Sequence, residues 1–440
     1  MTTSDASYTI QLLRFLRELV PNSRCRRRGR WRSKQDKKPA AAAKCEVRIA
    51  LLRRAPGAKM FRRKRTLLAT TAIAAVGLAS GDASAAQGVK LGIGGYYAAA
   101  AGILFSQDTG NGDPGQHTRD VVFRQDVEIH FQGETTLDNG LTVGAKIELE
   151  GQQSDDQIDE VWAYFKGGWG EVRFGDEDDV TEIMQYLIPS ASNIFGVDTP
   201  YFEFSNNHGN NFNNGSFQTN STLLNISGDA TKVLYFSPTF SGFSFAVSFA
   251  PDRRGEDSYS YWSGPGGTTL SNNSGQIQNV VSGALNFDHD FNGVSLSTGI
   301  GFGEGQFEST GGNHNVDMTW GLEGHLDVTY SGFTIGASAL WRDNWQSASG
   351  ADYWVAGLGG VYNWDAWGVG LAWSHGDYEY ASSGSSSDQI DIVEFTGRYD
   401  LGPGISLDGM AGYVAQNSGG NTGHQDDNTW EAGIGFFIGF

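Results

Sequence analysis

Residues 127–150 read VEIHFQGETTLDNGLTVGAKIELE, and their alternation decides the fold. Val127, Ile129 and Phe131 alternate with Glu128, His130, Gln132 and Glu134; after a break, Leu141, Val143, Ala145, Ile147 and Leu149 alternate with Thr142, Gly144, Lys146, Glu148 and Glu150. A two-residue period with one apolar and one polar face is the signature of a β-strand. Between the blocks, Asp138-Asn139-Gly140 carries the residues a tight hairpin turn requires. The pair reads as an antiparallel hairpin.

The same pattern continues to the end of the chain. Phe243, Phe245, Val247 and Phe249 alternate with small or polar residues, as do Val294, Leu296, Ile300 and Phe302. Leu322, Leu326, Val328 and Tyr330 oppose Glu323, His325 and Asp327, and the turn Ser331-Gly332 leads into Phe333, Ile335, Ala337, Ala339 and Trp341. The last block is Trp430, Ala432, Ile434, Phe436, Ile438 and Phe440, which brings the count to sixteen. Short connections (138–140, 167–170, 288–293, 331–332, 363–366, 401–404) alternate with long polar ones (251–275, 303–315, 343–352, 416–428).

An even strand number with short turns at one end and long loops at the other describes a barrel that crosses a membrane. Alternation alone also suits a soluble sandwich. Three features favour the barrel. Apolar faces begin and end in aromatics (Tyr330, Phe333, Trp341, Trp367, Trp373, Trp430, Phe440), as interfacial girdles do; the opposite faces carry glycines and acids suited to a water-filled lumen. Sixteen blocks also exceed what an open twisted sheet usually sustains. The expected fold is all-β: a 16-stranded antiparallel transmembrane β-barrel, closed because lipid cannot satisfy a free sheet edge.

Charge divides the 440 residues into two polymers. Residues 1–85 hold 20 basic and 5 acidic residues, leaving 11 of the 31 basic and 45 of the 50 acidic residues to 86–440, a net of −34. Nucleic acid is therefore not an expected partner, because phosphate binding needs clustered Lys and Arg. Both cysteines, Cys25 and Cys45, lie in the first part, so the remainder has neither a disulfide scaffold nor a cysteine metal site. Within the first part, Phe61-Arg62-Arg63-Lys64-Arg65, the apolar run Leu67–Ala79 and Ala83-Ser84-Ala85 are the three parts of a secretory signal spanning 60–85, with cleavage expected near Ala85. Such a signal normally begins a chain. Residues 1–59 are accordingly read as a mis-assigned, disordered upstream extension, and 86–440 as the barrel.

Two segments carry a family resemblance. DEVWAYFKGGWGEVRFGD (159–176) resembles the fourth and fifth strands of alphaproteobacterial general porins, and VLYFSPTFSGF (233–243) resembles the hairpin that follows their constriction loop. The terminal Phe440 is similar to the signal those proteins present to the outer-membrane barrel assembly machinery. The resemblance implies a homotrimer embedded in outer-membrane lipid and lipopolysaccharide of a Gram-negative bacterium. It also implies a third long loop folded inward as a constriction, here about 176–231.

In that loop the densest charge is Asp176, Glu177, Asp178, Asp179 and Glu182, followed by Asp198 and Glu203. These form the expected acidic wall of the constriction, opposed by Arg124, Lys146, Arg173 and Lys232. Opposed charges across a narrow opening order water and disfavour apolar solutes while ions and small hydrophilic solutes pass. The acidic balance predicts cation preference. A second use of the cluster is calcium held by Asp176, Asp178 and Asp179, since hard cations take carboxylate oxygen. The EF-hand spacing is absent, and no other cofactor is required. The eight histidines are scattered, with neither H-E-x-x-H nor G-x-S-x-G, so no enzyme is expected. The reading is a passive diffusion channel. Its rivals are a channel selective for a sugar or organic acid through Tyr201, Phe202, Phe204 and Phe212, and a non-transporting adhesin or hydrolase.

Overall fold

The computed structural model describes residues 88–105, 121–151, 158–198, 204, 220–253, 277–308, 317–345, 351–380, 387–417, 419 and 427–440. The expected signal and upstream extension lie outside them. The strands are β1 (Lys90–Phe105), β2 (Val121–Thr136), β3 (Thr142–Glu150), β4 (Ile158–Gly167), β5 (Gly170–Asp176), β6 (Thr231–Phe236), β7 (Phe243–Asp252) and β8 (Ile277–Phe291). They continue as β9 (Val294–Phe307), β10 (Met318–Tyr330), β11 (Phe333–Asp343), β12 (Tyr353–Trp364), β13 (Trp367–Glu379), β14 (Ser387–Gly402), β15 (Ile405–Asn417) and β16 (Asp427–Gly439).

Each strand pairs antiparallel with its sequence neighbour, and β1 also pairs with β16, so the sheet closes on itself in a sixteen-strand barrel. Closure reaches the final residue: Phe440 N–H donates to Gly95 O at 3.1 Å, and Gly95 N–H donates to Phe440 O at 3.0 Å. No sheet edge is left, as a structure in hydrocarbon requires.

Turn chemistry sets the register at the short-turn end. Ser241-Gly242, Asn292-Gly293 and Ser331-Gly332 all have φ positive at both residues (50° and 95°, 56° and 94°, 47° and 86°). That is the type I′ conformation, whose twist matches the flanking strands. The expected connection 288–293 shrinks to Asn292-Gly293, because Asp288, His289 and Asp290 still pair with Ser297, Leu296 and Ser295.

Burial inverts the rule for a water-soluble protein. Ile300, Ile335 and Ile434 are 64–68% exposed, whereas Ser374, Thr319 and Asp408 are at most 2% exposed. The outer face is apolar and belted. Phe333 pairs with Tyr362, Trp367 with Tyr399 and Tyr413 with Trp430 across neighbouring strands, at ring separations of 4.1, 4.5 and 4.9 Å. On β12 the two belts are marked by Trp354 and Trp364. Ten residues at about 3.4 Å, tilted about 40°, separate them by about 25 Å, the height of the apolar band of an outer-membrane barrel.

The inner face is less uniformly polar than the alternation predicts. Leu340, Val355, Ile390, Ile392 and Val414 are buried there. They pack in clusters with Ile188, Val197, Leu224 and Ile226 from the connection between β5 and β6. Part of the interior is dry.

Candidate functional site

The β5–β6 connection starts where Gly175 bends the strand. Its φ is 145°, and a Cβ there would lie 2.2 Å from Val161 O, so only glycine fits. Asp179 then precedes one helical turn, α1 (Val180–Met184), which the period-two reading gives no hint of. Five residues are too few to hold a helix by propensity; packing holds this one, through Val180 and Met184 against Leu234, Ala246 and Ala284. The Asp179 side chain does not cap it. One carboxylate oxygen instead accepts from Ile226 N–H (3.0 Å) and Ser227 N–H (2.9 Å), and the other from Ser248 Oγ (3.3 Å), joining the two limbs of the connection to β7.

From there the chain is anchored to one inner-face side chain after another. Gln185 Nε2 donates to Ser338 Oγ on β11 (2.8 Å), and its Oε1 bonds His325 Nδ1 on β10 (2.8 Å). Tyr186 packs tilted against His325 with ring centroids 4.3 Å apart and donates to Asp288. Ala191 N–H donates to Thr396 Oγ1 on β14 (3.1 Å). On β15, Asp408 Oδ1 accepts from Ser192 Oγ (2.8 Å) and Asn193 N–H (2.7 Å). The return limb is held by Asn220 to Ser374 on β13 (2.9 Å) and by Leu224 N–H to Glu323 on β10 (2.7 Å).

Inner-face glycines make room for this chain. A Cβ at Gly359 would lie 2.4 Å from Pro189 O, and one at Gly433 would lie 2.6 Å from the Phe204 ring. Phe204 is buried against Phe195, and packing against Gly102 and Gly433 places it at β1 and β16.

The predicted acids separate by role. Asp198 is buried and ties the limbs together by accepting from Thr222 N–H (2.8 Å), Thr222 Oγ1 and Ile188 N–H (3.3 Å). Asp176 accepts from Thr231 Oγ1 across the mouth of the connection. Glu177 accepts from Arg173 (2.8 Å). Asp178 lies with Glu160 of β4 and Asp229 of the return limb, their carboxylate oxygens within 4.8 Å of one another. Burial pushes the carboxyls of Glu177 and Asp178 above the usual carboxylate range, Asp178 strongly. It raises Glu182 to about 7, with Asp229 adding repulsion. Glu203 and the aromatics Tyr201, Phe202 and Phe212 lie outside the described residues.

The predicted bases are largely engaged. Lys232 is fully buried, its ammonium donating to the carbonyls of Glu177 and Gly228. Arg173 donates to Glu171 (2.7 Å) and Glu177, with its guanidinium over Trp162 (4.3 Å) and Phe236 (4.6 Å). Lys146 pairs with Glu148 beside Trp162. Arg124 is exposed on β2. The calcium set expected from the sequence is regrouped: Asp176 and Asp179 are turned to other partners, and only Asp178 faces two further carboxylates.

A family model described as Gram-negative porin matches residues 69–420. Among solved structures, the outer membrane channel DcaP of Acinetobacter baumannii is similar at 14% identity over 82% of this chain and 100% of that one, with a TM-score of 0.52. OmpF of Salmonella typhi, in complex with daunomycin, is similar at 13% identity over 80% of this chain and 98% of that one (TM-score 0.54). The trimer form of OmpT of Vibrio cholerae gives 13% identity, 80% and 100% coverage and a TM-score of 0.50. At such identities the likeness is one of fold. No curated protein sequence matches the chain.

Proposed function

Because this chain belongs to the Gram-negative porin family and forms an outer-membrane β-barrel, we propose that it is a passive diffusion channel for ions and small hydrophilic solutes that prefers cations. In this reading the described residues of the β5–β6 connection, 177–198, 204 and 220–230, belong to an inward-folded constriction. They bond to strands as far apart around the cylinder as β7, β10 and β15, which supports a path through the interior. Most of their anchors lie on β7–β15, and on the opposite wall they are tied at their start, by Asp178 N–H to Glu160 on β4 (3.3 Å) and by Arg173 of β5 to Glu177. Inner-face side chains of β2 and β3 stay partly open, including Arg124, Gln132, Glu134 and Lys146.

The observation that carries the cation preference is the state of the bases. Lys232 is spent on carbonyls, Arg173 on Glu171 and Glu177, and Lys146 on Glu148, which leaves Arg124 as the exposed base, while the Glu160, Asp178, Glu182 and Asp229 cluster gains negative charge as the raised carboxyls of Asp178 and Glu182 ionise. A field of that sign raises the local cation concentration in a narrow low-dielectric opening. Calcium fits Glu160, Asp178 and Asp229 by donor chemistry, since all three offer hard oxygen. No step of the transport depends on it. Reversal potentials in a planar bilayer under a KCl gradient test the preference; a potential of the sign set by chloride overturns it.

The assembly is a homotrimer in this reading. β5 and β6 are only 7 and 6 residues long. Seven residues tilted about 45° rise about 17 Å, well short of a hydrocarbon core about 30 Å thick. That low wall nevertheless exposes Phe165, Phe174 and Val233, which a neighbouring copy would cover. The higher, belted wall meets lipid and lipopolysaccharide. Phe440, half exposed at the end of an alternating strand, is presented to the barrel assembly machinery.

A further inference from the structure

Near the constriction, β2 and β3 carry a carboxylate–imidazole–carboxylate set that takes no part in anchoring the connection. Glu128 and His130 are two residues apart on the inner face of β2, and Glu148 of β3 is the direct register partner of His130. His130 Nε2 lies 2.9 Å from Glu128 Oε1 and 3.3 Å from Glu148 Oε2. All three side chains are more than nine-tenths buried. Yet neither Glu128 Oε1 nor His130 Nε2 completes a hydrogen bond of acceptable geometry. Imidazole Nε2 carries at most one hydrogen, which cannot serve two carboxylates at once.

We propose that Glu128, His130 and Glu148 form a binding site for a divalent transition-metal ion of the Zn2+ type on the inner wall of the barrel. The donor set decides the class. One imidazole nitrogen with two carboxylate oxygens suits zinc, which takes nitrogen at about 2.0–2.1 Å and oxygen at about 2.0–2.2 Å. Tetrahedral ligands at those lengths stand about 3.3 Å apart, close to the separations here. Three protein ligands leave a fourth position for water. Local charge also favours a cation. Lys146 holds only Oε1 of Glu148, leaving Oε2 to the site, so two carboxylates face one ammonium. Asp126, one step further along β2, accepts from Tyr96 (2.9 Å), whose ring meets His130 edge-on at 6.5 Å. This set is distinct from Glu160, Asp178 and Asp229, which offer oxygen alone.

The test is calorimetric titration of the untagged full chain in detergent with Zn2+ at neutral pH, in parallel with Ca2+. The expected result is one Zn2+ per chain, unmatched by Ca2+ and weakened at least about tenfold in His130→Gln and in Glu148→Gln. Glu379→Gln, on an exposed position of β13, should leave the affinity unchanged. Barrel formation in each variant is checked by its heat-dependent gel mobility. In the unaltered chain, one equivalent of Co2+ should give the visible absorption of tetrahedral N/O coordination, a readout that needs no variant. Failure to bind Zn2+ below about 1 mM, equal binding of Ca2+, or binding that His130→Gln leaves intact would each overturn the site. The last result would point to scattered surface groups, and none of them bears on whether the barrel conducts.

Discussion

Asp408→Ala releases the bend at Ser192–Phe195 in the β5–β6 connection from the barrel wall. In the parent, this carboxylate on β15, 2% exposed, accepts from Ser192 Oγ and Asn193 N–H. Ser192 Oγ in turn accepts from the N–H groups of Ile194 and Phe195, both at 3.0 Å, so one carboxylate orders a whole bend. A hydrogen bond to a charged group contributes about 1.5–3 kcal/mol. Two are lost, partly offset by no longer burying a charge, for a net of about 2–4 kcal/mol against the anchored state. At 1.36 kcal/mol per decade, the detached population of this stretch rises about 30-fold to about 1000-fold. The assay is thiol labelling. Cys25 and Cys45 are replaced by serine, and a single cysteine replaces Ala191, which is fully buried in the parent. When reclosing outpaces reaction, the labelling rate with a small maleimide follows the open population. Asp408→Asn keeps an acceptor and should fall between the two. An Asp408→Ala chain that folds, labels at the parental rate and shows unchanged single-channel noise would refute the anchoring and the path assigned to this segment.

Two further outcomes follow from the same geometry. Glu182 is protonated below about pH 7 and ionised above it, so one negative charge per chain is added to the β5–β6 connection as the pH rises from 6 to 8. Cation preference should increase over that interval and stay flat in Glu182→Gln, measured as reversal potential in EDTA to keep divalent ions off the neighbouring carboxylates. Phe174→Glu puts a charge on the exposed low wall at β5. It should convert the assembly to monomers on native gels and replace current steps grouped in threes by single steps, whereas the same change at Ile335 on the high wall should impair membrane insertion and leave the trimer contact untouched.

The strands and the side of the sheet each residue occupies were legible without coordinates. Facing in a strand is settled by neighbours two positions away: Val127-Glu128-Ile129-His130 puts His130 inward wherever the strand lies, and the structure buries it. Turns are as local, and Ser331-Gly332 specifies its own conformation. Inner-face glycines such as Gly359 suggested water by their lack of side chains; they are clearances for backbone passing behind them. What the β5–β6 connection does with its charges depended on partners that sequence distance hides. Gln185 meets Ser338 across 153 residues, and Ser192 meets Asp408 across 216. Lys232 sits in phase to line a pore but has its ammonium folded onto two carbonyls. Asp178 leaves its neighbours in the chain for Glu160 and Asp229. Alternation is a property of the chain taken a few residues at a time. The lumen exists only once β1 meets β16, and that closure brings distant side chains within bonding distance of one connecting segment.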